Sequence, residues 1–277
     1  MAIKDLLVAY QGDEGSQTAL RFALQMGVKY GAVVTGAHVQ APNQFAMQQA
    51  RWVPEDILEI MRRADREAVA AIETSFREAV ATIAPHAPHE WFAREGVPSL
   101  FLARMSRYFD ILITGQFKGA ISHGGRALQP EELIRRSGKP MLIVPENYNV
   151  RKFKEEAVVA WDGSSSAARA LSDAMQILET KKKLYLVTVE GGGDDRIPPL
   201  EDHDIVAHLQ RHAINAERVH LQRSGSVGKT IMDYCAKTDP DVLVMGAFGR
   251  AKLGAFLFGG VSQYILENQS VPVLMSH

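Results

Sequence analysis

The chain has 277 residues, 46% of them hydrophobic, with 31 Lys and Arg against 32 Asp and Glu. That is enough for one or two domains with large cores, and the near-neutral charge offers no field for nucleic acid or an anionic membrane. A lone cysteine, Cys235, excludes an internal disulfide. Its place in IMDYCAK, inside a predicted helix, reads as a small core residue, with a reactive thiol as the alternative.

In chain order, MAIKDLLVAYQGDEG sets Lys4 and Asp5 before a short apolar run. This reads as a first strand, not a signal peptide. No stretch approaches the roughly 18 apolar residues of a membrane span, so a cytoplasmic protein is expected. A helical pattern follows from about Ser16 to Tyr30, then a second strand, AVVTGAHV. Residues 54–84 form a long predicted helix that opens with proline and acids. Ile57, Met61, Ala64, Ala68, Ile72, Phe76, Ala79 and Ile83 make its apolar stripe. A third strand near 89–94, a helix over 97–108, the strand DILITG, a helix near 130–137 and the strand PMLIVP complete this half.

The join, PENYNVRKFKEEA (145–157), is polar and charged. Beyond it the order repeats: AVVAW, a helix over 164–180, KLYLVTV, a helix over 201–214, RVHLQR, a helix over 228–237, DVLVMG, a helix over 260–268 and PVLMS. LLVAYQGDEGSQTALRFAL (6–24) aligns without gaps to AVVAWDGSSSAARALSDAM (157–175), and DILITG and KPMLIVP match DVLVMG and VPVLMSH. This is duplication of a whole domain. The expected domains are 1–148 and 153–277. Strands apolar on both faces, alternating with helices, predict an α/β fold of two tandem doubly wound five-stranded parallel sheets. The halves differ after their second strands, where the second half carries EGGGDDRIPPLEDHD, either a solvated connector or a lid.

Two stretches suggest phosphate. RSGSVGKT (223–230) ends like a P-loop, but the pattern needs glycine where Arg223 stands. An ordinary strand-to-helix turn is the competing reading. The second stretch is VMGAFGRAKLGAFLFGGVSQYILENQ: Gly246 ends a strand, Gly249 follows after two residues, and Gly259-Gly260 come nine residues later, opening a helix. Glycines allow close approach of a phosphate, and the free N–H groups of a helix start favour an anion.

The spacing G-x2-G-x9-G, between a fourth strand and a last helix, resembles the nucleotide signature of the universal stress protein family. VVAWDGSSSAARAL, DPDVLVMG and SVPVLM resemble its other segments, so the resemblance covers the whole chain as a tandem member. It implies adenine and ribose near Ala160, Trp161 and Asp162 and beside Val187, Thr188 and Val189. It implies a triphosphate on Gly246, Gly249, Gly259, Gly260, Val261 and Ser262, with Met245 and Phe248 nearby. ATP, ADP and AMP all satisfy these residues, ATP with Mg²⁺ between phosphate oxygens. Arg250 and Lys252 either screen phosphate or belong to a solvated loop. Gly260 stands where many members carry Ser or Thr, so weaker binding is expected. In the first half, Gln11 replaces Asp162, and Ala127 and Leu128 replace Gly259 and Gly260. A degenerate first site follows. His123 has no partner at ligand spacing and reads as a loop residue.

Three functions fit: a nucleotide-binding stress regulator, a slow ATPase or nucleotidyl transferase, and an interaction scaffold using the exposed face of the 54–84 helix. The first is preferred, because no base or nucleophile stands at the phosphate end. The last strand of each half is expected at an edge. The resemblance implies that these edges pair the halves as an internal pseudo-dimer, with a homodimer of chains beyond it.

Overall fold

The computed structural model describes residues 3–41, 53–117, 128–150, 152–192, 204–248 and 260–277. The first half runs β1 (Asp5–Ala9), α1 (Glu14–Tyr30), β2 (Val33–Gln40), α2 (Glu55–Ile83), β3 (His89–Glu95), α3 (Pro98–Met105), a 3-10 turn (Ser106–Tyr108), β4 (Ile111–Gly115), α4 (Pro130–Ser137) and β5 (Met141–Val144). The second half runs β6 (Glu156–Ala160), α5 (Ser165–Leu178), β7 (Lys183–Val189), α6 (Ile205–Arg211), β8 (Ala216–Leu221), α7 (Val227–Thr238), β9 (Val242–Gly246), α8 (Gly260–Asn268) and β10 (Val273–Ser276).

Local chemistry sets the helix ends. Asp13 caps α1 by accepting the Ser16 N–H at 2.8 Å, so the helix begins earlier than the apolar pattern suggests. Gly31, at φ 62°, closes it in the left-handed conformation. Ser164 caps α5 and Ser226 caps α7 in the same way as Asp13. Pro98 and Pro130 open α3 and α4, where the missing N–H costs nothing. The predicted 201–214 helix is shorter among the described residues: α6 ends at Arg211, and Ala213 at φ 57° turns the chain out of it.

Among the described residues, ten strands form one sheet in the order β3-β2-β1-β4-β5-β10-β9-β6-β7-β8. Pairing is parallel within each half and antiparallel where β5 meets β10. There Leu274 lies opposite Leu142 and Met275 opposite Met141. The internal pseudo-dimer expected from the edge strands is thus present, and it removes both edges by pairing them with each other.

Aromatic and charged contacts reinforce the join. Phe22 on α1 packs edge-on against Tyr148 and Phe153, at 5.9 and 5.3 Å between ring centroids. Lys29 reaches Glu155 at 2.5 Å and Thr180 at 2.9 Å. Beneath them Lys181 and Asp241, whose side chains are 3% and 2% exposed, pair at 2.8 Å. Asp241 also accepts the backbone N–H groups of Lys154 and Glu155, which satisfies a charge that would be costly if left bare. Asp110 does the same for Lys4 and Asp5 in the first half, with no buried lysine partner among the described residues.

Candidate functional site

In each half the winding reverses beside the first strand: β1 lies between β2 and β4, and β6 between β7 and β9. A switch point of this kind forms a crevice beyond the carboxyl ends of the strands, the usual ligand position in such sheets. In the second half the sheet register brings the expected residues together. Ala160 pairs with Val187, the Trp161 N–H donates to the Val187 carbonyl at 2.8 Å, and Val159 pairs with Val244. Ala160, Trp161 and Asp162 therefore sit between Val187–Val189 and Met245–Gly246. The crossover helix α8 runs back along the sheet from its carboxyl end. Its first turn, Gly260, Val261 and Ser262, thus belongs to the same end, with Ser262 buried and Gly260 exposed. Gly249 and Gly259, with Arg250 and Lys252, lie outside the described residues, as do His123 and most of the 190–204 loop.

The floor of this crevice is built by close approach. A Cβ on Gly246 would stand 2.5 Å from the carbonyl carbon of Ser166 and 2.6 Å from the Ala167 nitrogen. Only glycine lets β9 end against the start of α5. Gly115 has the same relation to Gly15, at 2.6 Å. Asp162 is exposed, and its Oδ1 accepts the Ser164 N–H at 3.0 Å in a turn that needs Gly163 at φ 75°. Thr188 shares a 3.0 Å hydrogen bond with His220. Phe248, at φ 60°, packs edge-on against His277, 5.3 Å between centroids, and the His277 Nδ1 meets the Ala247 carbonyl at 3.2 Å.

The equivalent crevice in the first half is filled. Tyr10 takes the place of Trp161 and is fully buried, whereas Trp161 is partly exposed. The occupants come from α2. Phe76 lies where a Cβ on Gly36 would fall, 2.4 Å from its ring, and Ile72 lies against Gly12. Ser75 Oγ meets the Tyr10 hydroxyl at 2.9 Å, and Trp91 stands 6.1 Å from the Tyr10 ring. Burial pushes the Tyr10 phenol above its usual pKa, against the opposing hydrogen bond from Ser75. Displacing a core phenylalanine costs about 3–5 kcal/mol, which would weaken any ligand there from roughly a hundred-fold to several thousand-fold. At the expected phosphate end, Leu128 and Gln129 precede Pro130, which has no N–H, and the Gln129 N–H is taken by Ser99 at 2.7 Å. The lost glycines were visible in the sequence; the filling by α2 was not, since it depends on Gly36 receiving Phe76.

The P-loop-like tail has structural partners throughout. A Cβ on Gly228 would meet Tyr264 at 3.0 Å where α7 crosses α8. Lys229 pairs with Asp233 at 2.6 Å. The Thr230 hydroxyl accepts the Ser224 N–H and donates to the Ser226 carbonyl. Cys235 is fully buried, and desolvation pushes its thiol up to about 12, so it is a core residue. No three His, Cys, Asp or Glu among the described residues are grouped to hold a metal ion, and no described helix is long and apolar enough to cross a membrane.

The model of the universal stress protein family matches the chain twice, over residues 2–145 and 155–277. Universal stress protein Slr1230 of Synechocystis sp. is 27% identical over 173 residues, which cover 60% of this chain and 57% of that protein. The match thus spans little more than half the length of that relative. A universal stress protein from Archaeoglobus fulgidus has the same fold, with a TM-score of 0.71 at 15% identity, covering 98% of this chain and 97% of its own. A protein of unknown function from Pseudomonas aeruginosa aligns with a TM-score of 0.59 at 13% identity, covering 99% of this chain and 92% of its own.

Proposed function

The chain belongs to the universal stress protein family, and on that premise we propose that its second half binds one adenine nucleotide per chain and serves as a cytoplasmic stress-response switch. Occupancy would alter the shape of the protein or its partners. The observation that supports this reading is the contrast between two related crevices: α2 fills the first with Phe76, Ile72 and Ser75, while the second leaves Asp162 exposed and Trp161 and Thr188 partly so. An exposed carboxylate suits the nucleoside hydroxyls. The first N–H groups of α8, at its positive end, suit the phosphates. Gly260 is exposed, and among the described residues nothing lies within 4 Å of a Cβ there. ATP, ADP and AMP share this chemistry, with Mg²⁺ accompanying ATP on its phosphate oxygens.

Homodimerisation of chains belongs to the proposal as well. It would use helical faces or the outer edge strands β3 and β8, because β5 and β10 are already paired. A scaffold role has one feature in its favour: Ile57 and Ile60 on α2 are 43% and 51% exposed, an apolar surface on a long helix.

Calorimetric titration with Mg·ATP decides between them. The switch reading expects one site per chain, lost in Gly260→Asp. That variant adds a negative charge at the phosphate end, at an exposed helix start that tolerates acids. No heat and no thermal shift would sink the nucleotide reading and favour the scaffold. Two sites per chain would mean that α2 yields. Phosphate release in the same sample reads any hydrolysis.

A further inference from the structure

The first half touches the second half's crevice. Because β5 and β10 run antiparallel, the last turn of α4, which leads into β5, lies beside the carboxyl end of β10. From that turn the exposed Arg135 places its guanidinium carbon 5.7 Å from the centroid of Phe248. Phe248 stands two residues after Gly246, in the turn assigned above to the phosphate end. Its left-handed backbone is unusual for a bulky residue, and its ring packs on His277 as well as beneath Arg135.

The duplication supplies a control. Pro140 and Pro272 precede β5 and β10, and five residues before them stand Arg135 and Glu267. The register is sound, since Leu133 and Ile134 match Ile265 and Leu266 and all four are buried. At the position matching Arg135 the second half thus carries a carboxylate, Glu267, which accepts from Gln263 on its own helix at 3.0 Å. A basic residue in a last helical turn ordinarily complements the helix dipole. Arg136 does so while pairing with Glu132 on its own helix at 3.3 Å. Arg135 instead lies on an aromatic ring of the other half.

We propose that Arg135, carried by the first half, binds the phosphates of the nucleotide held by the second half. The inference rests on the nucleotide reading above. Guanidinium suits phosphate because its planar donors match two oxygens at once, and the cation–π contact with Phe248 holds the group over the ring before the ligand arrives. The half that has lost its own site thereby completes its neighbour's, and phosphate occupancy bears directly on the contact between the halves.

The test titrates ATP and adenosine into the wild-type protein, Arg135→Met and Arg135→Lys, with thermal unfolding of each without nucleotide. Methionine keeps apolar contact with Phe248 and removes the charge. The expected result is about a ten-fold loss of ATP affinity in Arg135→Met, as for one lost charge-assisted contact. Arg135→Lys should recover part of it, adenosine affinity should stay unchanged, and the salt dependence of ATP binding should flatten. Unchanged ATP affinity would overturn the inference. So would parallel losses for ATP and adenosine, because Arg135 would then only prop Phe248. A wild-type protein that binds neither ligand would refute the nucleotide reading itself, a different failure from wild-type binding that ignores Arg135.

Discussion

Gly246 and Gly260 belong to one glycine pattern but answer to different constraints. Gly246 is required by packing, since a Cβ there would overlap the backbone of Ser166 and Ala167. Gly246→Ala should therefore destabilise the protein by about 1–3 kcal/mol, the usual cost of overpacking, measured by urea unfolding. Gly260 is exposed, and no described atom lies within 4 Å of a Cβ there. Gly260→Ser should leave stability within about 0.5 kcal/mol of wild type, as surface changes do. It should also tighten Mg·ATP binding severalfold by adding a hydroxyl donor to the helix start. A Gly260→Ser variant that folds but binds no better would show that this position does not face the phosphates. The glycine spacing was legible in the sequence. The reason for Gly246 was not, because Ser166 and Ala167 are far from it along the chain and meet it only through the sheet.

At the scale of the element, α2 shows how far periodicity reaches. Its existence and limits follow from the sequence, but the buried line is Leu58, Phe76 and Val80, while Ile57 and Ile83, at the ends of the predicted stripe, are 43% and 38% exposed. An alanine-rich helix offers several nearly equivalent faces, and the choice is made by what receives it, here Gly36 and Gly12. Beneath α2, on β2, lies His38, 5% exposed, its Nδ1 meeting the Tyr10 carbonyl at 3.1 Å. Burial lowers the His38 pKa below its usual 6.5, against the opposing hydrogen bond to Tyr10. The unfolded chain then takes up this proton before the folded one does. As pH falls below about 6.5, unfolding gains a proton and stability declines until the folded pKa is reached. The matching residue in β7 is Thr188. In His38→Thr, the drop in unfolding free energy between pH 7.5 and pH 5.5 should be smaller than in wild type. Equal drops in the two proteins would exclude His38 as a contributor.

For the whole molecule, the duplication and edge strands made an internal pair predictable, while the cluster that secures it was hidden in a linker that reads only as polar. One buried apolar cluster includes Leu6, Phe22 and Leu142 from the first half and Val159, Leu184 and Leu274 from the second. With a continuous sheet through β5 and β10, neither half can lose its packing without exposing the other. Scanning calorimetry should therefore show one cooperative transition, with a van't Hoff enthalpy close to the calorimetric one. The charges at the join should contribute unequally. Lys29→Met removes a pair whose side chains are 20% and 21% exposed, and a loss of about 1 kcal/mol or less is expected for such partly solvated ions. Lys181→Met leaves Asp241 buried without its cation, and about 3–5 kcal/mol is expected when one member of a buried pair is removed. Two separate transitions in the wild-type protein would mean that the halves fold as independent units, and that the strand pairing between them adds little cooperativity. A single transition that falls much further for Lys181→Met than for Lys29→Met would place the larger contribution in the buried Lys181–Asp241 pair inside the second half, with the Lys29 bridge between the halves as a minor contributor.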